Sequence, residues 1–324
     1  MSEVKPLVAI HCLVYNHEPY LRDCFDGFVM QQTNFPFVAI VHDDASTDNS
    51  AAIIREYEEK YPHIFKPIYE KENLYTKGGF LAVNKVMNKA IDASGAKYIA
   101  MCEGDDYWNS SLKLQKQVDF LETHTAYGFI GTRCNVLKKN MLYDDKSFLH
   151  FVEPIDGILL YGNVFSNYGI YGPIARTCSL LFKKKLLEGE SNSMSGDYFM
   201  QAILSSKSYY ACVDDVMSTY RVHNGGVSND CNDNAEFSYI QWYVNQRKML
   251  NNRFPDVCDF DENELNDQLW YKKMQIALRN LEYSTYSYAK SNIVTSLYKE
   301  KKIYRNIIGK TSFYFFALFY IITH

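Results

Sequence analysis

Short apolar runs alternate with segments of helical periodicity along the first 125 residues. Four runs have the continuous apolar character of strands buried on both faces: residues 7–14, 37–41, 65–69 and 98–102. Apolar residues recur at helical spacing in a segment after Asn16 and in residues 47–61, 80–94 and 110–123. This β-α-β order predicts an α/β fold with a doubly wound, mainly parallel sheet and right-handed crossovers.

The pattern changes twice in the rest of the chain. Short strands are predicted at residues 129–134, 179–182 and 217–222, with a helix over residues 197–206. From about residue 234 the periodicity is helical, and the loop-forming stretch 225–233 precedes it. We therefore predict a core domain over residues 1–230, in halves 1–125 and 126–230, and a helical C-terminal region over residues 231–324.

The last segment, residues 290–324, combines basic and apolar character. Its basic side chains are Lys290, Lys299, Lys301, Lys302, Arg305 and Lys310. The apolar run 313–322 follows them and is too short to span a bilayer. A basic segment beside an aromatic one suits a helix on an anionic membrane surface. The alternative is a C-terminal helix packed on the main domain, or the face of a dimer.

Composition excludes several classes of protein. The chain is 47% hydrophobic and 22% charged, as in ordinary globular proteins, and its net charge of −4 argues against a nucleic-acid partner. The eight cysteines include no C-x-x-C pair, so we expect reduced thiols instead of zinc ligands or a disulfide framework. No signal peptide and no membrane span are recognised, which together predict a cytoplasmic protein.

Polar residues follow three of the predicted strands at the point where each strand ends. Tyr15, Asn16 and His17 follow the first strand, residues 42–46 (His-Asp-Asp-Ala-Ser) end the second, and residues 103–106 (Glu-Gly-Asp-Asp) follow the fourth. The carboxyl ends of parallel strands share one edge of a sheet, and ligands bind beyond that edge. We therefore predict a ligand site there.

The turn formed by Glu103, Gly104, Asp105 and Asp106 places three carboxylates side by side. Such carboxylates repel one another unless a cation lies among them, and Mg²⁺ and Mn²⁺ both take oxygen ligands and bridge to phosphates. The alternative is a solvated turn, since turns favour Asp. No G-x-G-x-x-G follows the first strand and no G-x-S-x-G occurs, which argues against dinucleotide binding and against a serine hydrolase.

These residues together resemble the GT-A glycosyltransferases of family 2. The resemblance is continuous over residues 6–122 and is carried by Tyr15-Asn16, Asp43-Asp44-Ala45-Ser46-Thr47-Asp48, Asn73, Gly78-Gly79, Ala82-Val83-Asn84, Glu103-Gly104-Asp105-Asp106-Tyr107-Trp108 and residues 113–117. Farther along it rests on Asp197 and on Tyr220-Arg221-Val222-His223. Glu103 departs from the usual Asp. Ala45 replaces the usual Gly, which predicts that this position avoids positive φ.

The resemblance implies an inverting, metal-dependent enzyme that moves a sugar from a nucleotide-sugar, with a UDP-sugar as the first candidate, to a hydroxyl of a growing glycan. Residues 1–125 would bind the donor and residues 126–230 the acceptor, in surface polysaccharide biosynthesis on the cytoplasmic face of the membrane. A lipid-linked glycan acceptor and a peripheral membrane contact through the tail would fit this setting.

The resemblance also implies roles for individual residues. Contacts to the donor would come from Tyr15, Asn16, Asp43, Asp44, Asn73, Gly78 and Asp105. Tyr15 would flank the uracil and Asp44 would accept its N3–H. Mn²⁺ or Mg²⁺ would be held by Asp106, with Glu103 and His223 as further contacts. Asp197 would be the general base that deprotonates the acceptor hydroxyl, and Asp214 and Asp215 are alternative candidates for that role.

Two other functions stay open. A sugar nucleotidyltransferase would share the α/β core and the metal carboxylates. Such enzymes carry a Gly-rich, basic loop after the first strand, where this chain has residues 15–19 (Tyr-Asn-His-Glu-Pro). A non-catalytic scaffold that binds nucleotide-sugars would bind UDP without turnover.

Overall fold

The computed structural model describes residues 5–145, 154–165, 174–190, 196–223, 233–256 and 261–295, together with residues 299, 313 and 317. The chain divides into two compact units, Met1–Val222 and His223–His324. Each unit has a hydrophobic core of its own.

The first unit alternates strands and helices in its first part, as predicted. Its elements there are β1 (Val8–Val14), α1 (Leu21–Val29), β2 (Phe37–Asp43), α2 (Ser50–Lys60), β3 (Phe65–Tyr69), α3 (Leu74–Ser94), β4 (Tyr98–Met101), β5 (Tyr107–Trp108) and α4 (Lys113–Thr123). The second part contains β6 (Tyr127–Lys138), β7 (Met141–Asp144), β8 (Ile158–Gly162), β9 (Leu181–Lys183), α5 (Asp197–Lys207) and β10 (Tyr209–Val222).

All ten strands form one sheet with the order β3-β2-β1-β4-β9-β6-β10-β5, and β7 and β8 pair with β6 and β10. Strands β3, β2, β1 and β4 are parallel neighbours, as are β6 and β10, whereas β5, β7, β8 and β9 run antiparallel to their partners. The predicted α/β fold with a doubly wound sheet is confirmed. The parallel strands end at one edge, where the polar loops lie.

Successive residues of β1 enter two cores on opposite faces of the sheet. Ile10 packs in the core that contains Phe25 of α1, and Ala9 packs in the core that contains Met87 of α3 and Leu204 of α5. Burial on both faces explains why the strand is a continuous apolar run.

Strand β10 begins earlier than the predicted strand 217–222. Its pairing with β6 shifts register between Val213 and Val216, so Asp214 and Asp215 lie in a bulge of the strand. The two acidic residues interrupt the apolar pattern at this point, which is why the sequence predicted only the second part of the strand.

The second unit is helical, with α6 (Asp233–Arg253), α7 (Glu262–Arg279) and α8 (Tyr283–Ser291). Its core includes Met274, Leu278 and Tyr286. The buried carboxylate of Asp267 accepts the backbone N–H groups of Val294 (3.0 Å) and Thr295 (2.7 Å), and these bonds hold the segment after α8.

The tail, residues 290–324, lies mostly outside the described residues. Phe313 and Ala317 are buried in the core of the second unit, and the Phe313 ring packs on Tyr283 and Tyr286 at centroid distances of 5.4 and 5.1 Å. These two residues of the tail therefore pack on helices of the second unit itself. In the described part of the chain, no helix has both the length and the apolar character needed to cross a membrane.

Candidate active site

The loops after β1 and β2 are joined through Asn16. Its backbone N–H donates to Ser46 Oγ (3.0 Å), and its Oδ1 accepts the backbone N–H of Thr47 (2.8 Å). Asn16 has φ of 56°, a left-handed conformation that Asn tolerates better than most residues. The adjacent Tyr15 side chain is 45% exposed, so its ring is accessible to a ligand at this edge.

The prediction that Ala45 avoids positive φ is wrong, because its φ is 60°. The left-handed conformation costs an alanine about 1–2 kcal/mol. Hydrogen bonds on the following residue hold the loop in place, since the Ser46 N–H donates to Asp43 Oδ1 (3.2 Å) and Ser46 Oγ accepts from Asn16. The loop keeps the backbone shape that Gly would adopt easily.

Asp44 is buried and holds the start of α3. Its Oδ1 accepts the Leu74 N–H (2.6 Å) and its Oδ2 accepts the Tyr75 N–H (3.0 Å), as expected for a carboxylate at a helix N-terminus. Each carboxylate oxygen can accept a second hydrogen bond. The contact of Asp44 with a uracil therefore stays a prediction.

Asn73 begins α3 as its N-cap. Its Oδ1 accepts the Thr76 N–H (2.7 Å), and its Nδ2 donates to the Asp44 carbonyl (3.2 Å). Helix α3 kinks directly after Gly78, because Gly79 has φ of 62° and ψ of −162°. The segment from Asn73 to the kink is thus tied to the end of β2.

The structure brings Glu103, Asp105 and Asp106 together. One carboxylate oxygen from each lies within 4.8 Å of the other two. A Cβ at Gly104 would lie 2.8–2.9 Å from side-chain atoms of His17, Leu21 and Val14, so only glycine lets the turn pack this closely on the end of β1. The turn is followed by β5, which pairs with β10.

Asp106 is the most buried of the three acidic side chains, at 1% exposure. Its Oδ1 accepts the backbone N–H of Arg221 (2.8 Å), whereas its Oδ2 has no hydrogen-bond partner among the residues that the structure describes. Burial, with the charges of Asp105 and Glu103, raises the pKa of Asp106 well above its usual range. A buried carboxylate in this state is costly unless a cation compensates it.

The donor set fits a hard divalent cation. All three ligand candidates are carboxylates, and oxygen ligands are those that Mg²⁺ and Mn²⁺ prefer. Asp106 also keeps a buried oxygen without a hydrogen-bond partner in the described part of the chain, which such a cation could use. The residues present therefore fit the metal that the sequence predicts.

A pH-dependent stability is expected from Glu103. Burial raises its pKa to about 8, with further contributions from the charges of Asp105 and Asp197. Because the folded-state pKa lies above the unfolded value of 4.5, ionisation of Glu103 opposes folding, and stability falls between about pH 4.5 and about 8.

Replacement of Glu103 by Gln removes this ionisation, so Glu103→Gln is expected to melt several degrees above the wild type at pH 8.5 in EDTA. At pH 4.5 the two proteins should melt together. Thermal unfolding followed by circular dichroism over this pH range checks the difference, and parallel melting curves at every pH would contradict it.

Asp197 begins α5 near the acidic turn. Its Oδ1 accepts the Tyr198 N–H (2.8 Å) and its Oδ2 accepts the Thr177 hydroxyl (3.2 Å). The surrounding protein desolvates part of its carboxylate and thereby raises the pKa of Asp197 above the usual aspartate value. Its charge also raises the pKa of Glu103, which places the two carboxyl groups within electrostatic reach of each other.

The alternative bases are engaged in ion pairs. Asp214 Oδ1 lies 3.4 Å from Arg133 Nη1, and Asp215 Oδ2 lies 2.6 Å from Lys116 Nζ. Both carboxylates are thus held by cationic side chains, and the choice among the three candidate bases stays a prediction.

His223 directly follows β10 and is the first residue of the second unit. Its part in metal binding stays a prediction.

Sequence reasoning assigned no role to Arg221, although the Tyr220-Arg221-Val222-His223 motif contains it. The structure places its guanidinium at the Asp105 carbonyl, with Nη1 at 2.9 Å.

Lys113 and Gln117, which belong to the matching segment 113–117, have a structural role. The buried Lys113 ammonium donates to Gln117 (2.9 Å), and Gln117 Nε2 donates to the carbonyls of Ile130 and Ser179. These bonds fix α4 to the sheet behind the acidic turn.

Residues 10–185 match the model of the family described as Glycosyl transferase family 2. The match covers more than half of the chain, so the chain belongs to this family. TuaG of Bacillus subtilis, a glycosyltransferase provisionally assigned to teichuronic acid biosynthesis, is 33% identical over 132 residues, which are 40% of this chain and 48% of TuaG. The chain spans less than half the length of the curated relatives that it matches.

Solved glycosyltransferase structures share the fold. S. aureus TarS 1–349 in complex with UDP-GlcNAc superposes with a TM-score of 0.57 at 15% identity, covering 89% of this chain and 81% of that chain. The mannosyltransferase PcManGT from Pyrobaculum calidifontis, in complex with GDP-Man and Mn²⁺, superposes with a TM-score of 0.51 at 16% identity, covering 98% and 87%. The predicted GT-A fold is confirmed by these likenesses.

Proposed function

We propose that this chain is an inverting, metal-dependent glycosyltransferase that moves a sugar from a UDP-sugar to a hydroxyl of a growing surface glycan. The observation that carries the proposal is the acidic turn. It holds an unpartnered, buried Asp106 oxygen at the ligand-binding edge of the sheet, with Asp197 within electrostatic reach. Family membership supports the reaction class. The ligands in the TarS and PcManGT structures support a nucleotide-sugar donor and Mn²⁺.

On the donor side, the exposed Tyr15 ring flanks the base, and Asp44 accepts the uracil N3–H. Asp105 contacts the ribose. Asp106 and Glu103 would hold Mn²⁺ or Mg²⁺. When bound, the cation supplies positive charge to the diphosphate leaving group.

On the acceptor side, Asp197 takes the proton of the acceptor hydroxyl while the oxygen attacks the anomeric carbon. The new C–O bond forms as the bond between that carbon and the diphosphate oxygen breaks, and the electron pair leaves with the nucleoside diphosphate. One displacement inverts the anomeric configuration. The Thr177 hydroxyl and the Tyr198 N–H orient the Asp197 carboxylate, and each of its oxygens keeps a lone pair for the proton.

Release of UDP from a panel of UDP-sugars, with GDP-sugars in parallel, tests this function in the presence of Mn²⁺. We expect slow release with one donor class when water is the acceptor, and faster release when extracted cell-surface glycans are added. UDP binding without release from any donor would support the scaffold function instead. Formation of pyrophosphate from UTP and a sugar 1-phosphate would support a nucleotidyltransferase.

A further inference from the structure

Arg221 connects three parts of the fold behind the acidic turn. Its backbone N–H donates to Asp106 Oδ1 (2.8 Å), and its Nη1 donates to the carbonyl oxygen of Asp105 (2.9 Å). Its Nη2 donates to Asp23 on α1 (2.7 Å). One residue of β10 thus bonds to both aspartates of the turn and links them to α1.

The surroundings of the guanidinium restrict its position. Its Cζ atom lies 4.8 Å from the ring centroid of Tyr20 and 5.1 Å from that of Tyr107, and the side chain of Arg221 is only 9% exposed. Ring contacts and two directed N–H bonds fix a planar group in a way that a single ammonium cannot reproduce. The turn is therefore held by a preorganised group.

The positive charge of Arg221 is partly balanced by Asp23, which lies outside the acidic turn. A bare cation next to the three carboxylates would compete with Mn²⁺ for them. Here the guanidinium donates to the backbone carbonyl of Asp105 and to the carboxylate of Asp23, which is 62% exposed. The carboxylate of Asp23 compensates part of the guanidinium charge, which reduces its repulsion of a divalent ion at the turn.

We propose that Arg221 is a positioning residue for metal binding, which clamps the Glu103–Asp106 turn between α1 and β10 and aims the free oxygen of Asp106 at the cation. Asp23 anchors this clamp. The inference rests on the metal dependence in the proposed function and adds to it two residues that touch neither donor nor acceptor.

Calorimetric titration of Mn²⁺ into the full chain at saturating UDP tests the inference. Residues that only orient metal ligands typically change affinity by about 10–100-fold when replaced. We expect Arg221→Met to weaken Mn²⁺ binding by about 10-fold or more, with smaller losses in Arg221→Lys and Asp23→Ala.

The matched control is Arg22→Gln, which removes a neighbouring arginine on α1 that pairs with Glu56 at 2.7 Å. This variant should bind Mn²⁺ like the wild type. If Arg221→Met does not fold, as judged by its melting curve, Arg221→Lys and Asp23→Ala decide the question. If every folded variant binds Mn²⁺ with wild-type affinity, the role of Arg221 is overturned and the proposed metal site is not affected. Absence of Mn²⁺ binding in the wild type overturns the metal site and this inference together.

Discussion

Replacement of Asp106 by asparagine is expected to abolish Mn²⁺-dependent UDP binding and, at the same time, to raise the melting temperature of the metal-free protein. Both effects have one cause. Asp106 is a buried carboxylate with an unpartnered oxygen, and its pKa is raised well above the usual range by burial and by Asp105 and Glu103. Without a cation, ionisation of Asp106 opposes folding. With a cation, the ionised carboxylate would be the metal ligand.

Residues that only orient a metal ligand typically change metal affinity by about 10–100-fold when they are replaced. The loss of Mn²⁺ affinity in Asp106→Asn should be larger, because Asp106 would touch the ion itself. The amide of Asn keeps an oxygen that can accept the Arg221 N–H, so the backbone contact is retained. Because ionisation of Asp106 lowers stability as pH rises, the gain in melting temperature in EDTA should grow from acidic to alkaline pH.

Calorimetry with Mn²⁺ and melting curves in EDTA measure the two effects on the same samples. Asp92→Asn is the control, since Asp92 is an exposed carboxylate whose partner is Lys184 at 2.7 Å. A variant Asp106→Asn that is less stable without metal and still binds UDP in a Mn²⁺-dependent way would remove Asp106 from the metal site.

Asp197→Asn is expected to retain UDP binding and to lose transfer. A positioned general base contributes about 10²–10⁴-fold to the rate, so UDP release from the active donor should fall by about 100-fold or more. Affinity for UDP should stay within about twofold, because in the proposed function Asp197 acts on the acceptor hydroxyl and not on the nucleotide.

The variants Asp214→Asn and Asp215→Asn are matched controls, because their carboxylates are paired with Arg133 and Lys116. Both should release UDP at close to the wild-type rate. A wild-type rate in Asp197→Asn together with a large loss in Asp214→Asn or Asp215→Asn would transfer the role of base to the bulge of β10.

The parallel strands could be predicted from the sequence because burial on both faces leaves a continuous apolar run. The run 7–14 became β1 (Val8–Val14), and the run 65–69 became β3 with the same bounds. Two strands without such a run were missed. Strand β5 has only two residues, and all four residues of β7 (Met141–Asp144) are exposed, so neither leaves an apolar pattern.

The acidic turn could also be predicted, since three carboxylates within four residues must lie close together. The contacts of Arg221 could not be predicted, because its partners Asp105 and Asp23 are 116 and 198 residues away in the chain. Arg221 meets them only in the folded protein, where β5 pairs with β10. The bonds from Asp44 to the start of α3 depend in the same way on the folded path of a distant loop.

Calorimetric titration of the purified chain with UDP, first with Mn²⁺ and then with EDTA, tests the central claim most directly. The acidic turn predicts binding that requires Mn²⁺ and that disappears when EDTA removes the ion. Equal UDP affinity under the two conditions, or no binding under either, would contradict a metal-dependent UDP-sugar transferase.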